Sequence, residues 1–218
     1  MNKAEQLVKK LSSFSEWDIG GSRTQGTATL TEDFVENCVK EIYEEVVVFK
    51  MGSQQHPDFL VAPKRYKASI LNFADSKKIT KGVLEKWETS IHNKERIRLV
   101  RLEVKTGNSN YTLNDTFPEP KELLSEIYVL FSLGERKVFV TTSYTIAKNC
   151  KCSPSIDKKL EMSKETILCF QEKLKSIWNG TGIKTAARPT YRMNKDYSHI
   201  NAPISEIATI FKRAGILD

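Results

Sequence analysis

The sequence predicts an α/β (α+β) protein in which a central mixed β-sheet is flanked by helices. Three observations predict it. Helical-period stretches at 3–13, 31–47 and 80–92 alternate along the chain with short runs of strand character. Two of those runs, 126–133 and 137–146, are almost continuously apolar, as expected of strands covered on both faces. Gly134-Glu135-Arg136 between them has the length and composition of a tight hairpin connection. With 218 residues, 39% apolar and 28% charged, the chain suits a single globular domain spanning residues 1–218.

Taken in order, residues 3–13 form a short helix on the spacing of Ala4, Leu7, Val8 and Leu11. Residues 12–26 lack a period, and Gly20-Gly21 marks a turn, so this stretch reads as a loop. In the helix at 31–47, Thr31 is the expected N-cap, Glu32 and Asp33 suit the first turn, and Phe34, Val35, Cys38, Val39, Ile42, Tyr43 and Val46 form the apolar stripe. A short strand follows Asp58, and residues 66–73 either continue the sheet or turn away from it. Val83, Leu84, Trp87 and Ile91 line the helix at 80–92, with His92 in a surface capping role at its end. After the two apolar strands, Ser163 caps a long helix stopped by Asn179-Gly180, residues 181–200 are irregular, and Pro203 opens a terminal helix ended by Gly215.

Charge and cysteine content narrow the function classes. Lys and Arg number 34 against 27 Asp and Glu, a net +7. The excess is uneven, because residues 148–196 hold 11 basic and 5 acidic side chains. Such a segment suits a polyanion, or alternatively a solvated basic face without a partner. Cys38 and Cys169 fall on apolar helix faces and read as buried thiols; Cys150-Lys151-Cys152 has the wrong spacing for a zinc knuckle. No apolar signal core opens the chain and no run approaches the length of a membrane span, so a cytoplasmic protein is expected.

The most informative stretch runs from Arg96 to Gly107. Alternation puts Leu102 and Val104 on one face of a strand and Arg101, Glu103 and Lys105 on the other. Upstream, Pro57-Asp58 stands before the apolar run Phe59-Leu60-Val61. Two carboxylates brought together repel each other and favour a dication between them. The plain alternative for Glu103 and Lys105 is a same-face ion pair worth about 0–1 kcal/mol.

Pro57-Asp58 followed by Glu103-Val104-Lys105 resembles the Pro-Asp … (Asp/Glu)-x-Lys signature of the restriction-endonuclease-like nuclease superfamily, over residues 30–146. The gap between the two halves is long for that family, which requires an extra helix between them. The resemblance implies a restriction-endonuclease-like core with a basic, DNA-contacting part at 147–218. It implies Mg²⁺ held by Asp58, Glu103 and the carbonyl of Val104, with Lys105 orienting or activating the attacking water. An early helix often supplies a further Glu in this family; Glu36 is the candidate and Glu44 the second, and an ordinary solvated helical Glu is the other reading.

On this resemblance the expected activity is that of a type II restriction endonuclease, a homodimer cutting double-stranded DNA in a sequence-specific, Mg²⁺-dependent way. A structure-selective repair or junction nuclease of the same fold, or a non-catalytic DNA-binding protein, stay open as alternatives. Lys64 and Arg65 at the strand end are expected to reach the DNA backbone. Asn108, Ser109, Asn110 and Asn114 lie in an amide-rich loop that either reads base edges or is simply a turn. Lys184, Arg188, Arg192 and Lys195, interleaved with Tyr191 and Tyr197, suit phosphate contact and stacking.

Overall fold

The alternating stretch around Glu103 becomes the middle strand of an open sheet. The computed structural model describes residues 1–17, 25–51, 57–74, 79–95, 97–107, 110–112, 125–142, 145, 190–192 and 201–216. The sheet has five strands: β1 (Val46–Lys50), β2 (Phe59–Pro63), β3 (Val100–Gly107), β5 (Ile127–Ser132) and β6 (Lys137–Thr142), in the spatial order β1-β2-β3-β5-β6. It is mixed, because β3 and β5 run parallel whereas the other neighbours are antiparallel. Two short strands, β4 (Asn110–Thr112) and β7 (Thr190–Arg192), pair with each other in a separate two-stranded sheet.

Strand periodicity divides the interior into two layers. Phe59, Val61, Val100, Leu102, Val104, Ile127, Val129 and Phe131 share one face and pack against α1 (Lys3–Leu11), α2 (Gln25–Ile42) and α5 (Ile204–Arg213). Phe14 anchors this layer with edge-on contacts to Trp17, Phe34 and Phe131, and Tyr43 stacks on Phe211 at 4.2 Å. Leu60 and Ala62 lie on the other face, with Tyr66, Ile70, Leu84, Trp87 and Leu99. That layer is roofed by α3 (Lys67–Ala74) and α4 (Lys81–Glu95), where Trp87 Nε1 donates to Ser69 Oγ at 3.0 Å.

Helices α3 and α4 occupy the long gap between Asp58 and Glu103, where the sequence requires at least one helix. Residues 66–73 turn away from the sheet, since Ile70 and Ala74 are buried at helical spacing. The helix expected at 31–47 differs at both ends. It begins at Gln25, so Thr31 is internal, and its hydroxyl donates back to the Thr27 and Ala28 carbonyls instead of capping. It stops at Ile42 because Val46-Val47-Val48 is a β-branched run, which favours an extended edge strand over a further helical turn. The hairpin, the helix at the carboxyl-terminal side and the positive φ of Gly215 (71°) follow expectation. His92 Nδ1 lies 3.1 Å from the Ile97 carbonyl, just past the end of α4. The helix expected after Ser163 and the cysteines at 150, 152 and 169 lie outside the described residues; Cys38 is buried, and burial pushes its thiol up to about 11. Among the described residues no helix is long and apolar enough to cross a membrane.

A chain of buried and half-buried charges fixes the amino-terminal end of β3. Glu88 on α4 accepts from the Arg101 guanidinium and from the Leu99 amide at 2.7 Å. Glu126, next to β5, accepts from the Arg101 amide at 3.3 Å and pairs with Arg213 of α5. Burial raises the Glu126 pKa, and Arg213 and Arg101 oppose that rise.

Candidate active site

Register brings the two sequence-predicted carboxylates together. Phe59 pairs with Leu102 across the antiparallel β2–β3 ladder, so one step further Asp58 stands opposite Glu103. Each carboxylate is held by a backbone amide of the facing strand region. Glu103 Oε2 accepts from the Asp58 amide at 3.2 Å, and Asp58 Oδ2 accepts from the Val104 amide at 2.7 Å. The Asp58 carbonyl accepts in turn from Met51 at 2.8 Å, which ties the residue to the end of β1. The gap of 45 residues in sequence thus closes through one strand pairing.

Lys105 completes the group. Two residues beyond Glu103 on the same face, its Nζ lies 2.6 Å from Glu103 Oε1. The ion pair that sequence spacing alone would allow is therefore formed, but it is partly enclosed, with the Lys105 side chain 18% and Glu103 1% exposed. Ser125 Oγ donates to Glu103 Oε2 at 3.3 Å. A lone same-face ion pair would not account for a second carboxylate laid against it.

Electrostatics show the strain of that arrangement. Burial pushes the Asp58 carboxyl up to about 7, the Glu103 charge adds to the rise, and the Val104 amide and Lys105 oppose it. Glu32 on α2 contributes further repulsion. The site is thus short of positive charge at neutral pH even with Lys105 present.

The donor set fits a hard divalent cation. Asp58 and Glu103 provide carboxylate oxygens. In a strand the amide and carbonyl of one residue face the same neighbour, so the Val104 carbonyl shares the Asp58 side with the amide that binds it. Among the described residues no group of three or more His, Cys, Asp or Glu is gathered at metal-ligand spacing.

On helix α2, the carboxylate whose charge acts on Asp58 lies one turn before the candidate Glu36. Glu36 pairs with Lys40 on its own helix. Glu32, one turn earlier, is the helical carboxylate that acts on Asp58. Lys50 holds Glu32 at 3.2 Å and Asp33 at 2.8 Å, and Thr31 Oγ1 meets Thr106 Oγ1 at 3.0 Å, next to Lys105. These contacts moor the start of α2 against β1 and β3. Glu44 is exposed in the turn after α2 and has no part in this group. A helix read as starting at Thr31 hides the role of Glu32, since it makes that residue a first-turn acid rather than a mid-helix one.

The basic residues are distributed differently from the acids. Lys64 and Arg65 follow β2 at the end opposite Asp58, about 20 Å of strand away. Arg65 is engaged there, donating to the Gly215 carbonyl at 3.1 Å and lying 4.8 Å over the Tyr66 ring. Asn110 and Arg192 are paired residues of β4 and β7. Asn108, Ser109, Asn114, Lys184, Arg188 and Lys195 lie outside the described residues. Comparisons with protein-family models, with characterised proteins and with solved structures returned no match.

Proposed function

We propose that this chain is a Mg²⁺-dependent endonuclease of double-stranded DNA, with a restriction-endonuclease-like core and the sequence-specific activity of a type II restriction enzyme. One observation carries the proposal. Glu103 accepts from the Asp58 amide; Asp58, 45 residues earlier in sequence, accepts from the Val104 amide; and the Lys105 ammonium lies 2.6 Å from Glu103 Oε1. The order of elements around them, with an early helix laid over a mixed sheet and the lysine two residues after the second acid, agrees with the resemblance carried by Pro57-Asp58 and Glu103-Val104-Lys105.

When bound by Asp58, Glu103 and the Val104 carbonyl, Mg²⁺ supplies Lewis acidity toward a phosphoryl oxygen and lowers the pKa of bound water. The chain's own groups do the rest. The Val104 amide holds the Asp58 carboxylate in one orientation, and the Asp58 amide and Ser125 do the same for Glu103. Lys105 places a point charge where negative charge grows on the phosphate and stabilises it in a partly enclosed setting. Glu32 adds negative potential behind Asp58 and makes a cation there more favourable.

Digestion of a large mapped DNA with Mg²⁺ and with EDTA tests the proposal. Discrete Mg²⁺-dependent fragments are expected from the wild type, and none from Asp58→Ala or Lys105→Ala, both of which keep DNA binding. Cleavage retained by either variant removes the assignment. Preference for branched over linear duplexes would move it to a junction or repair nuclease. DNA binding without cleavage by the wild type would leave a non-catalytic binding protein.

A further inference from the structure

Among the groups on Glu103, Ser125 stands apart. Glu103 Oε2 accepts from the Asp58 amide at 3.2 Å and from Ser125 Oγ at 3.3 Å, and Lys105 Nζ lies 2.6 Å from Oε1. Asp58 and Lys105 belong to the site themselves. Ser125 comes from outside it, in the segment that leads into β5. Ser125 is 2% exposed and Glu103 1%, so their bond is made away from bulk water. The hydroxyl can orient Glu103 only as well as its own segment is held.

Glu126, the next residue, does the holding. Its amide donates to the Arg101 carbonyl at 2.7 Å, and its Oε2 accepts from the Arg101 amide at 3.3 Å. One residue thus engages both backbone groups of Arg101, two positions before Glu103 on β3. Glu126 Oε1 pairs with Arg213 at the end of α5. Glu126 is itself buried, and of the cations acting on it Arg213 opposes the effect of burial most strongly. Arg213 is aimed by neighbours that anchor the end of α5: Phe211 stacks on Tyr43, and the Gly215 carbonyl accepts from Arg65 at 3.1 Å. An anion bonded through one oxygen to backbone and through the other to a guanidinium has little freedom to rotate. Without Arg213 it keeps one anchor of the two and gains a reason to turn toward water, taking Ser125 with it.

We infer that Glu126 and Arg213 are positioning residues that set the orientation of Glu103 through Ser125, so that the last helix of the fold tunes how tightly the Asp58–Glu103 pair holds a divalent cation. This rests on the reading of that pair as a metal site and adds to it a control point on a distant helix. The outer partners of a ligating carboxylate are worth about 10- to 100-fold in metal affinity.

The test is a double-mutant cycle read by metal binding, without DNA. Mn²⁺, which takes oxygen ligands as Mg²⁺ does, is titrated calorimetrically into the full-length wild type, Ser125→Ala, Arg213→Met and Ser125→Ala/Arg213→Met. Circular dichroism checks that each is folded. Each single substitution is expected to weaken Mn²⁺ binding by about 10- to 100-fold, and Ser125→Thr and Arg213→Lys to recover most of the loss. The double variant is expected to bind no more weakly than the weaker single one, because both act along one path. If Arg213→Met does not fold, Glu126→Gln, which keeps an oxygen for the Arg101 amide, takes its place in the cycle. Wild-type affinity in the Arg213 or Glu126 variant, or losses that multiply in the double variant, overturns the positioning and leaves the nuclease reading intact. Coupled losses of Mn²⁺ affinity in a wild type that cuts no DNA would overturn the nuclease and keep the positioning. Absence of Mn²⁺ binding by the wild type overturns both.

Discussion

Replacing Asp58 by Asn isolates the electrostatic cost of the site. The amide retains an oxygen to accept from the Val104 amide but cannot become an anion beside Glu103. In the folded wild type the Asp58 carboxyl titrates at about 7 rather than 3.8, chiefly through burial and then through Glu103. A raised carboxyl pKa means that the native state binds the proton more tightly than the unfolded chain, so the metal-free wild type loses stability as pH rises from about 4 through about 7. Between pH 5 and pH 8 the loss amounts to about 2–3 kcal/mol, which is about 5–10 °C of melting temperature for a chain of this size. Asp58→Asn lacks this term. In EDTA its melting temperature is therefore expected to exceed that of the wild type at pH 8, with a much smaller gap at pH 5. Mg²⁺ added at pH 8 raises the wild type toward the variant and leaves the variant unmoved, because bound cation offsets the repulsion only where two carboxylates face each other. Thermal melts at the two pH values, with and without Mg²⁺, measure all of this. An Asn variant no more stable than the wild type at pH 8 in EDTA would refute the account of the site as a charge-deficient pair.

Other outcomes follow from neighbouring contacts. Glu32→Gln is expected to raise the Mg²⁺ concentration needed for half-maximal cleavage by several-fold, whereas Glu36→Gln leaves it unchanged; a Mg²⁺ titration of cleavage rate separates the two residues. Glu88→Ala leaves the partly buried Arg101 guanidinium without its ion-pair partner and removes the acceptor of the Leu99 amide, a loss of about 1–3 kcal/mol measurable by urea unfolding. Trp87→Ala empties the centre of the layer beneath α3 and α4 and costs about 3–5 kcal/mol in the same assay.

Much of the sheet was legible in the sequence because its strands carry their own signals. The apolar runs at 127–132 and 137–142 and the alternation through Leu102, Glu103, Val104 and Lys105 appear where local pattern places them. Asp58 and Glu103 were legible as a pair only through a motif, since strand register is a long-range property that neither segment encodes alone. Ser125 and Met51 escaped notice for that reason: each reaches the site through the pairing of its strand's neighbour. Glu32 was hidden by a different cause. The polar start of α2, Gln25 to Thr29, has little apolar period, and its helical state depends on packing against the sheet rather than on propensity. Likewise Arg65 looks like a free surface cation until the carboxyl-terminal segment returns to meet it.

The pairing of Arg213 with Glu126, beside Arg65 on the Gly215 carbonyl, has a bearing on when the fold can first close during synthesis. Glu126 is enclosed next to β3, yet the cation that balances it is translated after every strand of the sheet. A nascent chain still short of residue 213 holds Asp58, Glu103 and Lys105 but lacks Arg213, one of the two cations that offset the Glu126 charge at the root of the strand that presents two of them. The amino-terminal end of β3 therefore gains its full set of charge partners only once the last helix has been made.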